Sequence, residues 1–181
     1  MGRSPQSRPL ELVAYTLEEP PYFRTEQMGS FRHARELKEA GKHVEFMLAL
    51  EMIGYFSDKP GSQTFPVSGM SYLYTDRGDF IGLVANLTNF GLTRRIKSAM
   101  AGATTLPVRS INGPANLPGI DFSDHLNYWR EGFPAFMVTD TALMRNPNYH
   151  LPGDTFDKLD YTRMAIVVQG VYAVTQQAPA P

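Results

Sequence analysis

Apolar and polar positions along this chain follow two different periods, and the switches between them mark the elements. LELVAYTL (residues 10–17) mixes β-branched, aromatic and leucine side chains in one short run, which predicts a buried strand. GSFRHARELKEAG (29–41) then offers Ser30 as an N-cap, good helix formers and a closing glycine, and reads as a helix. HVEFMLALEMIGYF (43–56), DFIGLVANL (79–87), LPVRSI (106–111) and FPAFMVTDT (133–141) are strand-like. LTRRIKSAMAG (92–102) and SDHLNYWREG (123–132) read as helices, and DKLDYTRMAIVVQGVYAVTQQ (157–177) closes the chain with apolar spacings of three and four. The segments 57–78, 112–122 and 145–155 are rich in turn residues, and the first of them reads as a long surface excursion.

Strands alternating with helices predict an α/β fold, a three-layer sandwich with helices on both faces of a central sheet. Ligands of such sheets collect beyond the carboxyl ends of strands. The start MGRSPQSRP (1–9) and the last five residues (177–181) read as disordered ends flanking one catalytic-sized unit over 10–176.

Composition then removes function classes. With 17 basic and 18 acidic residues the net charge is −1, so neither nucleic acid nor an anionic membrane is expected as the main partner. No run approaches the roughly 18 apolar residues of a membrane span. The start has no apolar core of a signal peptide, so a cytoplasmic location is expected of the chain as written. Zero cysteines leave no disulfide, thiolate site or cysteine nucleophile. Any metal site would have to use His, Asp and Glu.

Those residues occur at suggestive places. YTLEEPP (15–21) ends an apolar run on Glu18 and Glu19, then breaks it with two prolines. Neighbouring strand residues point to opposite faces, but at a strand end the rule relaxes, and Pro20 biases Glu19 to extended geometry. One metal ligand beside one general base suits such a pair, and so does a plain exposed acidic turn. Glu51 interrupts the apolar FMLALEMIGYF and needs a charged partner, a metal or a place just past the strand end. His33 and His43 lie in polar surroundings that suit surface residues. His125 follows Ser123 and Asp124, which would also cap a purely structural helix, and His150 lies in a loop between strand and helix.

Taken in order, LEEPPYFRTEQMGSFRHA, LALEMIGYF, GDFIGLVANL and PGIDFSDHLNYWREGFPAFMVTDTALMRNPNYHLPGDTFDKLDYTRMAIVV resemble the zinc aminopeptidases of clan MH, the family that also holds glutaminyl cyclases. The resemblance implies peptide substrates, two zinc ions in the family, and named roles. Glu18 matches the general base. Glu19 and His150 match ligands of one zinc, and Glu51 matches the acidic ligand of the other. Asp124 and His125 match an SDH motif that supports the site.

The chain also departs from the family pattern. The family uses a further histidine and a metal-bridging aspartate before the YTLEE segment, and the 17 residues ahead of Glu18 contain neither. The resemblance therefore implies a sheet lacking the family's N-terminal strands, with zero or one zinc expected on this chain alone. A sheet so exposed is expected to be covered, by a second copy in a homodimer or by a complementing N-terminal chain. The alternative function is a non-catalytic α/β module binding at most one metal. Cyclase-like acyl transfer at one zinc is a weaker variant, since it needs the same aspartate. Tyr128, Trp129 and Phe133 are candidates for pocket or core alike.

Overall fold

The computed structural model describes residues 9–177. The ends expected to be disordered, 1–9 and 177–181, lie outside the described residues except for Pro9 and Gln177. Four strands, β1 (Met47–Leu50), β2 (Ile81–Asn86), β3 (Val108–Gly113) and β4 (Ala135–Thr139), form one sheet in the order β1-β4-β2-β3. β1 runs parallel to β4 and β2 parallel to β3, while β2 and β4 are antiparallel, so the sheet is mixed.

The central strands show why two helical layers form. Along β2, Ile81, Leu83 and Ala85 face one core with Phe136 and Val138 of β4, whereas Val84 and Met137 face another with Ile120. Strand side chains alternate between faces, so a run apolar at every position must be covered twice. The first face is covered by helices α2 (Phe90–Ala103) and α5 (Tyr161–Gln176), which bring Ile96, Met100, Val167 and Val174 onto it. On the other side, α1 (Gly29–Glu39) packs against α3 (His125–Arg130), and Ala34, Tyr128 and Ala135 form a core there. Leu83, Phe136 and Val138 are fully buried. Each contributes roughly 1.5–3 kcal/mol, and Leu83→Ala would cost about 2–5 kcal/mol.

Helix starts use local chemistry. Asp160 caps α5 by accepting the Arg163 amide at 2.9 Å. Ser30, expected to cap α1, lies instead inside its first turn, fully buried, where Asn127 donates to its hydroxyl at 2.8 Å. A short helix α4 (Ala142–Arg145) follows β4. Asp140 fixes that corner, accepting backbone N–H groups of Gly54, Tyr55 and Ala142 at 2.8, 2.7 and 2.8 Å. The excursion expected over 57–78 is closed at its base by an antiparallel bridge between Ser57 and Gly78. Among the described residues, no helix is long and apolar enough to cross a membrane.

One expectation fails. Residues 10–17 carry no regular structure, and Leu10, Leu12, Val13 and Leu17 are exposed. The apolar composition suits a strand, but a strand exists only through a neighbour. Here a cavity of about 510 Å³ separates residues 11–15 from β1. The long apolar stretch 43–56 likewise pairs only over Met47–Leu50.

Candidate active site

The acids gather where chain direction changes. Glu51 directly follows β1, and Met52 after it takes a left-handed φ of +53°. Glu18 directly follows Leu17 at φ +61°, and His150 itself sits at +57°. Non-glycine residues rarely adopt this region, which costs about 1–2 kcal/mol each, so surrounding structure must hold these bends. The Pro20–Pro21 bond just beyond the acids is cis.

These bends bring sequence-distant groups together. Glu19 Oε1 and His150 Nε2 stand 3.7 Å apart, both well exposed. The His150 ring stacks on Tyr149, with centroids at 4.0 Å and planes 16° apart. Ser123 donates its hydroxyl to Glu51 Oε2 at 2.8 Å. Asp124 lies close enough to Glu18 and Glu51 to act on both, and its buried Oδ1 has no hydrogen-bond partner.

Crowding of like charge sets the electrostatics. Burial, then the charges of Glu51, Asp124 and Glu19, pushes the Glu18 carboxyl up to about 7. Burial also raises Glu51, helped by Asp124 and Glu19 and opposed by the Ser123 hydroxyl and by His150. Asp124 is raised by burial, against a hydrogen bond from Ser30. The cluster is thus short of positive charge, and a carboxyl held near 7 can take and return a proton at neutral pH.

The other expected residues separate. His125 is fully buried, hydrogen-bonded through Nε2 to the Ile120 carbonyl at 2.8 Å and edge-on to Trp129 at 4.6 Å. Burial lowers it to about 4, so it is a neutral packing residue at neutral pH. His33 accepts or donates at Tyr15 and Tyr128, 2.9 and 2.8 Å away, outside the acid cluster. Tyr128, Trp129 and Phe133 pack around the core under α1 and α3.

Glu51 and Tyr149 instead line a cavity of about 130 Å³ with Phe65, Val84, Met137 and Met144. The sequence reading missed this cavity and the site roles of Ser123 and Tyr149. Their adjacency to Asp124 and His150 was the only signal available.

A metal is implied by the resemblance, and the donor set can be tested against it. Among the described residues, no three His, Asp or Glu side chains are grouped to hold an ion. Glu19 and His150 form a pair, while a catalytic zinc takes three protein ligands. These residues alone do not fit a catalytic zinc.

Comparison with known proteins agrees with the architecture. The chain is 53% identical over 162 residues to the uncharacterized protein YfbL of Escherichia coli K12, covering 90% of this chain and 49% of YfbL. It is 26% identical over 140 residues to the probable leucine aminopeptidase 1 of Trichophyton verrucosum, covering 76% of this chain and 32% of that protein. The chain thus spans between a third and a half of the length of these relatives. The Legionella pneumophila LapA aminopeptidase superposes with a TM-score of 0.60 at 18% identity, over 83% of this chain and 37% of LapA. Legionella pneumophila LapB gives 0.58 at 21% identity, over 81% of this chain and 34% of LapB. At these identities the two structures speak for the fold alone, which is a mixed α/β sheet in common with aminopeptidases. The model of peptidase family M28 matches residues 1–175, and the chain belongs to that family.

Proposed function

We propose that this chain carries one part of a zinc-dependent aminopeptidase site, which cleaves N-terminal peptide bonds, and that alone it is weakly active or inactive. The observation that carries this reading is the convergence of Glu18, Glu19, Glu51 and His150 beside an apolar cavity. Family membership and the aminopeptidase names of relatives support a hydrolase.

Within this reading Glu18 is the proton carrier, because its carboxyl titrates near neutrality. Glu19 and His150 contribute a two-ligand face, and Glu51, steadied by Ser123, contributes an acidic ligand. Further ligands would come from outside the described residues. The mostly apolar lining of the cavity, with Phe65, Val84, Met137 and Met144, suits an apolar first residue such as leucine or methionine.

The test is zinc per chain after dialysis against micromolar zinc, with hydrolysis of leucine p-nitroanilide before and after mixing with a separately expressed remainder of YfbL. Zinc near two per assembled complex, with hydrolysis only in the mixture and abolished by Glu18→Gln, supports the proposal. The missing three-ligand group favours one other reading, a non-catalytic module. Zinc near zero and no hydrolysis in an assembled mixture would establish that reading instead.

A further inference from the structure

The excursion over residues 57–78 is a surface loop in sequence and a cavity wall in space. Its ends meet at the Ser57–Gly78 bridge, and the Gln63 amide donates to the Asp76 carbonyl at 2.9 Å, so its base is narrow. From there it folds back over the sheet face that carries Val84 and Met137. Gln63, Phe65 and Tyr74 close the cavity of about 130 Å³ above those two side chains.

Three ties hold the wall down. Tyr74 donates its hydroxyl to the Ser110 carbonyl of β3 at 3.1 Å. Thr64 donates both its amide and its hydroxyl to the Met144 carbonyl of α4, at 3.1 and 2.7 Å. The third tie is Gln63 itself. Its Oε1 accepts from Arg145 Nε at 2.8 Å and from the Thr141 hydroxyl at 3.0 Å, and its Nε2 donates to the Thr64 carbonyl at 2.8 Å. Gln63 is only 5% exposed, so a group that lost its partner there would have no water to replace it.

Arg145 decides where Gln63 stands. It is 7% exposed, donates through Nη1 to the Gly78 and Phe80 carbonyls at 3.0 and 3.1 Å, and lies 4.6 Å from the centre of the Phe80 ring. Asp140 and Asp79 are near enough to balance its charge. A planar guanidinium bound along several edges has one orientation, and its Nε then fixes the Gln63 amide against the cavity. Met70 and Met144 also line the cavity, but methionine is flexible and yields to a ligand. Gln63, hydrogen-bonded at both ends, does not. Size matters here, because a cavity of roughly 150 Å³ is known to take a benzene ring. The cavity beside Gln63 is a little smaller, enough for an aliphatic side chain and tight for an aromatic one.

We propose that Gln63 sets the size of side chain that the cavity accepts, and that Arg145 is the positioning residue that holds it there. Together they admit aliphatic side chains and turn away aromatic ones. The occupant is the first residue of a peptide only under the peptidase reading, whereas the size limit holds for any ligand of the cavity. Neutral probes measure that limit without zinc or hydrolysis, so a chain that bound no zinc and cleaved nothing would sink the peptidase reading and leave the size limit standing.

The experiment titrates isoamyl alcohol and phenethyl alcohol, stand-ins for leucine and phenylalanine side chains, into the full chain with methyl-labelled methionine. The Met137 and Met144 methyl signals report occupancy of the cavity. Isoamyl alcohol should move both and bind about 10-fold more tightly than phenethyl alcohol, which has to force the wall. Gln63→Ala should erase that preference by tightening the aromatic probe. Gln63→Glu keeps the length and an acceptor for Arg145 Nε, and should restore it. A merely structural loss would weaken both probes alike. Should Gln63→Ala fail to fold, Thr141→Val decides, since it removes one donor to Gln63 and should narrow the preference about 3-fold. No binding of either alcohol, equal affinities in the parent, a preference unmoved in the deciding variant, or binding that leaves both methyl signals in place would each overturn the proposal.

Discussion

The Ser123 hydroxyl donates to Glu51 Oε2 at 2.8 Å, and it sets a hydrogen bond against the burial and like charge that raise that carboxyl. Removing it as Ser123→Ala leaves Glu51 with more need of a proton. The Glu51 carboxyl should then titrate at higher pH in carbon-detected NMR, with stability lower by about 1 kcal/mol. An unmoved titration would mean that the bond does not restrain Glu51.

Glu18 gives the chain an alkaline weakness. Its folded pKa is raised to about 7 from an ordinary 4.5, so its contribution is fully present below 4.5 and is lost as pH rises through about 7. The group is about half exposed, which reduces the effect to about 1 kcal/mol, or roughly 2–4 °C in Tm for a domain of this size. Glu18→Gln should flatten the fall in Tm between pH 5 and 8. A slope equal to that of the parent would assign the fall to other groups.

His125 gives an acid weakness of opposite sign. Its folded pKa is lowered to about 4, so stability is complete above 6.5 and is lost as pH falls through about 4. The loss should be on the order of 3 kcal/mol, because the ring is fully buried. Urea midpoints at pH 7 and pH 4 measure it. His125→Phe should lower stability at pH 7, where the Ile120 carbonyl loses its donor, and remove much of the acid-dependent loss.

Asp140 ties the turn after Glu51 to the end of β4 by accepting three backbone N–H groups. Asp140→Asn turns one acceptor into a donor facing donors, and should cost about 2 kcal/mol or more. The Gly54 and Tyr55 amides should lose exchange protection first. Global loss without that order would show that the corner is not a local unit.

Much of this was legible from residue order, and the failures have a common cause. The apolar spacing over 157–177 and the run over 79–87 predicted α5 and β2 closely, because helix periodicity and a strand buried on both faces are carried by the segment itself. LELVAYTL has strand chemistry, yet strand formation depends on a partner elsewhere in sequence, and none of the described residues supplies it. The grouping of Glu19 with His150 came through family resemblance, since their 3.7 Å approach depends on bends at Leu17 and His150 that side-chain types do not announce. Ser30 illustrates the reverse. A good local cap became a buried partner of Asn127 once α1 met α3.

The open edge of β1, with the exposed leucines across from it, also bears on how the chain fares in a cell. Unpaired strand edges and apolar side chains are what chaperones and proteases recognise as unfinished folding. Overproduction of this chain should accordingly drive it into inclusion bodies.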